Sequence, residues 1–457
     1  MTSTGNASRA STPDLKRPAA QVAFVLGSFL VGFVIAFNLL DHQIDSQVFD
    51  YGKRPTAQPA LNIWFDSNAP LVYLAMTNTQ TRMQMTNRHP LFPYIGVLPV
   101  KAMRRLGVPE PLGVCLVLAF GVGLMSGLFA LTLTLTLENA ALMGLGQLFF
   151  LASASFVFWS GLCERFSWGS ATILSVTAGA AYYSRKEKMP LAAAVFLNVI
   201  SLSVTITNWM FGLLLALNFF KIKTAIKVGL YGLAAGLGLW FMEQLFITQH
   251  DSLLHVQAWN HKYVLNDYAG AVHQKLVALL GHTAVMPGFH LYGFADGVAA
   301  ESHQMLGVAQ SAPGSSGPLG LGLVIAWAVL LVVGTLAWSS NVSKSQFDRF
   351  LSFGILGQIT LHMIYGVELF LYGLHVLPLV LLLVMRGVDT LKGPSRRIVI
   401  AGLCGFVPLL AFHNINQYRE ARTLYVERYE ERLHSPAEAP AHGAQQGPQQ
   451  GRQQKPQ

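Results

Sequence analysis

Apolar runs close to membrane-span length follow one another along most of the chain. The first, Val22 to Leu40, has about the 20 residues that a helix needs to cross a hydrocarbon core of about 30 Å. Further runs follow near 90–104, 111–137, 140–162, 167–183, 190–220, 228–248, 319–338, 350–367, 369–385 and 398–413. In lipid each backbone N–H and C=O must find its partner within the protein, so only helices or closed barrels can cross. The runs therefore predict an all-α polytopic membrane protein with about 11–13 transmembrane helices, joined by external amphipathic helices and loops. With 52% hydrophobic and 12% charged residues, the chain falls well below the roughly 25% charged fraction of a soluble domain. The net charge of +9 comes from short basic clusters between apolar runs, which excludes a nucleic-acid face and reads as topology signals.

Those clusters set the expected sidedness. A retained first span, rather than a cleaved signal peptide, puts residues 1–19 in the cytoplasm. Lys101, Arg104 and Arg105; Arg185, Lys186 and Lys188; Lys221, Lys223 and Lys227; Lys344 and Arg349; and Arg386, Lys392, Arg396 and Arg397 are all expected there too. The transmembrane domain covers 20–415 and includes external loops 41–88 and 249–318. Residues 416–457 read as a polar, largely disordered tail, rich in Gln, Pro and Gly at its end, after a surface helix at 414–433. Parity then conflicts with hydropathy: between Arg105 and Arg185, both placed inside, three apolar segments stand where an even number is needed, so one must be broken or re-entrant. The run 190–220 must likewise go out and return between two basic clusters, as two short helices turning near Thr207, Asn208 and Trp209. Irregular backbone at membrane depth survives only inside protein or beside a wet cavity, so this turn points to an internal site.

Several polar groups could do chemistry. Asp66 precedes Ser67, Asn68 and Pro70 and reads either as a helix N-cap or as a carboxylate made more basic by partial desolvation; Asp41, Asp45 and Asp50 are alternatives in the same loop. Arg82, Arg88 and His89 either anchor an interfacial segment or capture a phosphate at headgroup level. Glu164 and Arg165 interrupt two apolar runs, where ionisable groups are expensive and point to function. In "LHMIYGVELFLYGLHVLPL", His362, Tyr365, Glu368, Tyr372 and His375 repeat at helical spacing. One helix over 350–385 would be about 54 Å long, so a hairpin near Gly366–Glu368 is expected, still gathering these groups at the external rim.

Half of the 14 histidines fall in the second external loop (His250, His255, His261, His273, His282, His290 and His303), at separations that match no metal-ligand motif. Cys115, Cys163 and Cys404 sit singly in apolar segments and read as core residues rather than disulfides or zinc ligands.

An Asp in the first external loop, an interfacial helix and "HPLFP", then "FWSGLCERF", "TITNW" and "YGVELFLYGLHVLPL", together resemble the GT-C class of integral membrane glycosyltransferases in its bacterial form, over about residues 20–415. The resemblance implies transfer of a sugar from a polyprenyl-phosphate donor to a lipid, glycan or protein acceptor, at the outer (periplasmic) face of a bacterial inner membrane. Asp66 would be the general base. Arg82, Arg88, His89, Glu164, Asn208, Lys262, His362, Tyr372 and His375 would bind substrate, several of them around the lipid phosphate. Many relatives carry a second acidic residue near the first-loop Asp, whereas Ser67 and Asn68 follow here. A single Asp argues against a metal bridging paired carboxylates, which leaves a divalent metal an open alternative that is not indicated, and no other cofactor is expected. The rival readings are a transporter or lipid flippase, which also needs broken helices, and a non-catalytic partner that keeps the fold.

Overall fold

A computed structural model of the chain describes residues 18–45, 64–65, 67, 69–78, 88–248, 264, 270–293, 304–340 and 345–434. The long helix α1 (Pro18–Asp45) leads to a short α2 (Ala69–Thr77), then α3 (Phe92–Arg105) and α4 (Glu110–Thr136). Helices α1 and α4 lie side by side because α4 carries Gly123 and Gly127 one turn apart. A methyl group at Gly123 would stand 3.0 Å from the Phe29 ring, and one at Gly127 3.2 Å from Phe29 Cβ. Small residues at this spacing let two membrane helices approach closely, and lipid offers no hydrophobic drive to bring them together otherwise. Ser126 Oγ donates to Ser28 O (2.8 Å), and Gln147 Nε2 to Ser126 Oγ (2.8 Å), which adds interhelical hydrogen bonds to that contact.

The next apolar segment is split, as α5 (Ala140–Ala152) and α6 (Ala154–Trp159), before α7 (Phe166–Lys186) returns. The break at Ser153 is filled from outside by the second large loop: Ala154 N donates to Ala284 O (3.0 Å) and Ser155 N to Thr283 O (2.9 Å). Then come α8 (Leu191–Val204), a 3-10 turn at Ile206–Asn208, α9 (Trp209–Phe219) and α10 (Ile222–Glu243), which ends in a π turn at Gln244–Thr248. The segment between α10 and α12 holds α11 (Val272–Val277) and a two-stranded antiparallel ribbon, β1 (His290–Gly293) with β2 (Gln304–Gly307), pairing His290 with Gly307. Helices α12 (Pro318–Ser339), α13 (Gln346–Ile364), α14 (Gly373–Thr390) and α15 (Gly393–His434) complete the bundle.

Among the described residues six helices are long and apolar enough to cross a membrane, and α5, α8 and the 206–219 segment are shorter apolar helices. The chain is an all-α polytopic membrane protein. The expected hairpin after residue 364 is present: α13 ends at Ile364, Gly366 takes φ +125°, and a 3-10 turn at Leu369–Tyr372 leads into α14. The surface helix expected at 414–433 is the continuation of α15, whose 42 residues span about 63 Å, twice what a bilayer core requires. Cys115 and Cys163 are buried, whereas Cys404 lies exposed on α15 rather than in the core.

One end of the bundle, called the lower end here, is locked by Arg386. Its Nε and Nη2 donate to Asp348 Oδ1 (2.6 Å) and Oδ2 (2.7 Å), and its Nη1 to Thr136 O (2.6 Å), while the Trp338 indole donates to Asp348 (3.2 Å). The ends of α4, α12 and α14 and the start of α13 therefore meet there, and the charges of Arg386 and Glu138 also reach Arg185. This geometry corrects the expected sidedness. Helix α4 is about 40 Å long, and Arg104 is paired with Glu110 at its start (3.1 Å), so Lys101, Arg104 and Arg105 lie at the upper end, opposite Arg185. Three traverses between residues 105 and 185 are then required, and α4, α5 with α6, and α7 supply them. The run near 90–104 is the short helix α3, which doubles back along the upper part of α4 instead of crossing.

Candidate functional site

The second short pair answers to expectation: α8 rises from the lower end, turns at 205–208, and α9 descends. Gly232 packs on Asn198 and Gly236 on Leu202, while Gly354 packs on Phe211 and Gly357 on Met210. Thus α10 and α13 flank this hairpin and continue past its tip, which stands about 20 Å above the lower end. Ile206 and Thr207 at the tip are exposed.

The tip is the meeting point of three segments. From the first loop, Leu91 N donates to Ser203 O (2.8 Å), and Ile206 N to Arg88 O (3.0 Å). From α7, Gly169 O accepts Asn208 Nδ2 (3.0 Å), which also reaches Thr172 Oγ1 (3.3 Å). From α14, His375 presses on Gly169 so closely that an added methyl group there would stand 2.5 Å from its Nε2.

Around this junction the polar side chains converge. His89 Nδ1 lies 2.6 Å from Val204 O, and because a carbonyl only accepts, Nδ1 must carry the proton. Burial, then the neighbouring Arg165 guanidinium, with Arg88 and His375 adding smaller effects, hold the His89 imidazole well below the usual histidine range. It is therefore neutral at pH 7, with its Nε2 lone pair available.

Arg165 precedes the first residue of α7, is 4% exposed, and stacks over the Phe92 ring at 4.9 Å. Its Nε and Nη2 have no hydrogen-bond partner among the described residues, and neither does His375 Nε2. Glu164 is buried beside it and accepts from Arg165 N (3.1 Å). Glu164 supplies a counter-charge to this buried guanidinium, whose open donors, at the positive end of a helix, can still hydrogen-bond a further anion.

The predicted residues divide accordingly. Arg88, His89, Glu164, Asn208 and His375 are brought together at the tip. Tyr372 and His362 stack at 4.1 Å between ring centroids and reach the cluster through Phe166, whose ring is 6.3 Å from Tyr372 and 6.1 Å from His375. Glu368, of the same sequence stretch, turns away: it accepts from Val308 N (2.9 Å) and Ala309 N (3.1 Å) and holds the loop after β2. Asp66, Arg82 and Lys262 lie outside the described residues.

Flanking Asp66, Phe65 and Ser67 are both buried, and Phe65 adopts φ +48°, a left-handed conformation unfavourable for a bulky residue. Its ring is held by Trp159 (6.2 Å) and Phe370 (5.3 Å), and Trp159 meets Phe166 (5.4 Å), so an aromatic path links this segment to the cluster.

Arg165 emerges as the central cation, although the sequence reading gave the substrate role to its neighbour Glu164. Lys275, which that reading did not single out, is buried and donates to Met363 O (3.1 Å), neighbouring His362. Among the described residues no group of three or more His, Cys, Asp or Glu side chains is placed to hold a metal ion. No protein-family model matches the chain, and no curated protein matches it.

Proposed function

We propose that the chain is a membrane glycosyltransferase that moves a sugar from a polyprenyl-phosphate donor to an acceptor hydroxyl at the outer face of a bacterial inner membrane. The observation that carries this reading is Arg165, a buried cation with two open donors beside His375 and His89 at the tip of a half-height hairpin. In the reaction the acceptor oxygen attacks the anomeric carbon while Asp66 takes the hydroxyl proton. The bond from that carbon to the phosphate oxygen breaks, and its electron pair leaves with the lipid phosphate. The phosphate gains a negative charge as it departs, and preorganised cations answer that change; Arg165 and Arg88 fill that role, with His89, His375 and Tyr372 around them. Glu164, Asn208 and His362 hold these groups in place. The exposed tip at Ile206 and Thr207, flanked by α10 and α13, is where the lipid-borne donor would be presented.

The test is mass spectrometry of envelope glycans from strains lacking the protein, carrying the wild type, or carrying Asp66→Asn at equal membrane level. A sugar restored by wild type and absent with Asp66→Asn supports transfer; full restoration by Asp66→Asn refutes it. Broken helices also suit a transporter. Labelling of Asn208→Cys from the lower side as well as the upper would favour that second reading.

A further inference from the structure

A cavity of about 380 Å³ lies between α9 and α13, lined by Leu214, Leu217, Asn218, Arg349, Phe350 and Phe353. It is remote from the site above: Asn218 is at the lower end of α9, about 15 Å along the helix from Asn208. Leu217 and Phe353 on its walls are 52% and 57% exposed, so it opens sideways from the bundle, where acyl chains run. Its polar end is defined. Arg349 is exposed, one residue from the Asp348–Arg386 lock that marks the lower end. Asn218 is fixed there by its Nδ2 donating to Gln346 O (2.8 Å). Lys221 and Lys223, both exposed, follow Asn218 within five residues. No carboxylate is among the lining residues.

We infer that this groove binds a membrane phospholipid with an anionic headgroup, its phosphate at Arg349 and Lys221 and one acyl chain along Leu214, Leu217 and Phe353. The volume is within the range of small-molecule sites. An apolar trough open to the side of a membrane bundle, with cations at the headgroup level only, is matched by an amphiphile with a negative head. A water-soluble anion would leave the apolar walls unused. The inference does not rest on the reaction proposed for the upper site.

The test is native mass spectrometry of the full-length protein from nanodiscs containing equal phosphatidylglycerol and phosphatidylcholine. The wild type should retain phosphatidylglycerol about fivefold over phosphatidylcholine, the factor one basic residue near an anionic surface supplies. Arg349→Gln should lose that preference, Arg349→Lys should keep most of it, and Leu217→Trp, which fills the trough, should lower retention of both lipids. Arg165→Gln, in the upper site, should leave the preference unchanged. Residues 217 and 349 are exposed, so these variants should fold, as an unchanged melting temperature would verify. No preference in the wild type, or an undiminished one in Arg349→Gln, would overturn the inference.

Discussion

Asn208 Nδ2 donates to Gly169 O at 3.0 Å, which ties the tip of the α8–α9 hairpin to the first turn of α7. The same turn begins beside Arg165 and receives His375 against the bare Cα of Gly169. One glycine therefore sets the separation of three polar groups. Gly169→Ala places a methyl group 2.5 Å from His375 Nε2, so the imidazole must move. Loss of about a hundredfold in turnover is expected, as for a misplacement near 1 Å, with membrane level unchanged. Transfer assays at matched protein amounts would check this.

Arg165 is costly to bury with open donors, and its removal should separate stability from function. Arg165→Met alone strands the buried Glu164 carboxylate, so the test pairs it with Glu164→Gln: the double variant keeps the apolar contact with Phe92 and should lie within about 2 kcal/mol of wild-type stability while activity is abolished. A marked fall in the melting temperature of the double variant would instead make Arg165 a structural residue.

The lower lock behaves oppositely, because both Asp348 and Arg386 are satisfied by several partners. Asp348→Ala strands a partly buried guanidinium and should cost about 3 kcal/mol or more, whereas Asp348→Ala combined with Arg386→Met should cost less than the sum. Thermal melting of the purified variants in one detergent measures the cycle. The surviving folded fraction should keep normal activity, since the upper site is untouched.

The histidine at the tip gives a pH dependence with a defined sign. The folded pKa of His89 lies well below the ordinary value of about 6.5, so the unfolded chain takes up its proton first as pH falls. The stability contributed by neutral His89 is present above about pH 6.5 and is lost as pH falls through and below that value. His89→Gln should flatten the fall in melting temperature between pH 7 and 5, and an identical slope in both proteins would count against a neutral, buried imidazole.

What could be read from the sequence was set by hydropathy, and what could not was set by partners distant in the chain. The turn at Thr207–Trp209 was legible because its run is too short for two full crossings. The sidedness of Lys101, Arg104 and Arg105 was misread because counting basic residues ignores the Arg104–Glu110 pair and the 14-residue length of α3, too little to span a bilayer. Ser153 is a local sign of the break, since its hydroxyl caps α6 by accepting from Phe156 N (3.2 Å), but the backbone of Thr283 and Ala284 that fills the break lies over a hundred residues away. Arg165 was visible as a charge between apolar runs, but its role depends on donors left open by the packing of Phe92 and α7. Glu368 had the right spacing and the wrong direction, because the loop after β2 claims its carboxylate.

The most direct test of an anion site at the hairpin tip is binding of a polyprenyl phosphate to the purified protein in nanodiscs, compared with the same polyprenol lacking phosphate. One phosphorylated lipid per chain should bind the wild type, the bare polyprenol should not displace it, and Arg165→Gln should bind at least about tenfold more weakly, the loss expected for one charge-assisted hydrogen bond. Equal binding by Arg165→Gln, or equal binding of polyprenol and its phosphate, would contradict the assignment.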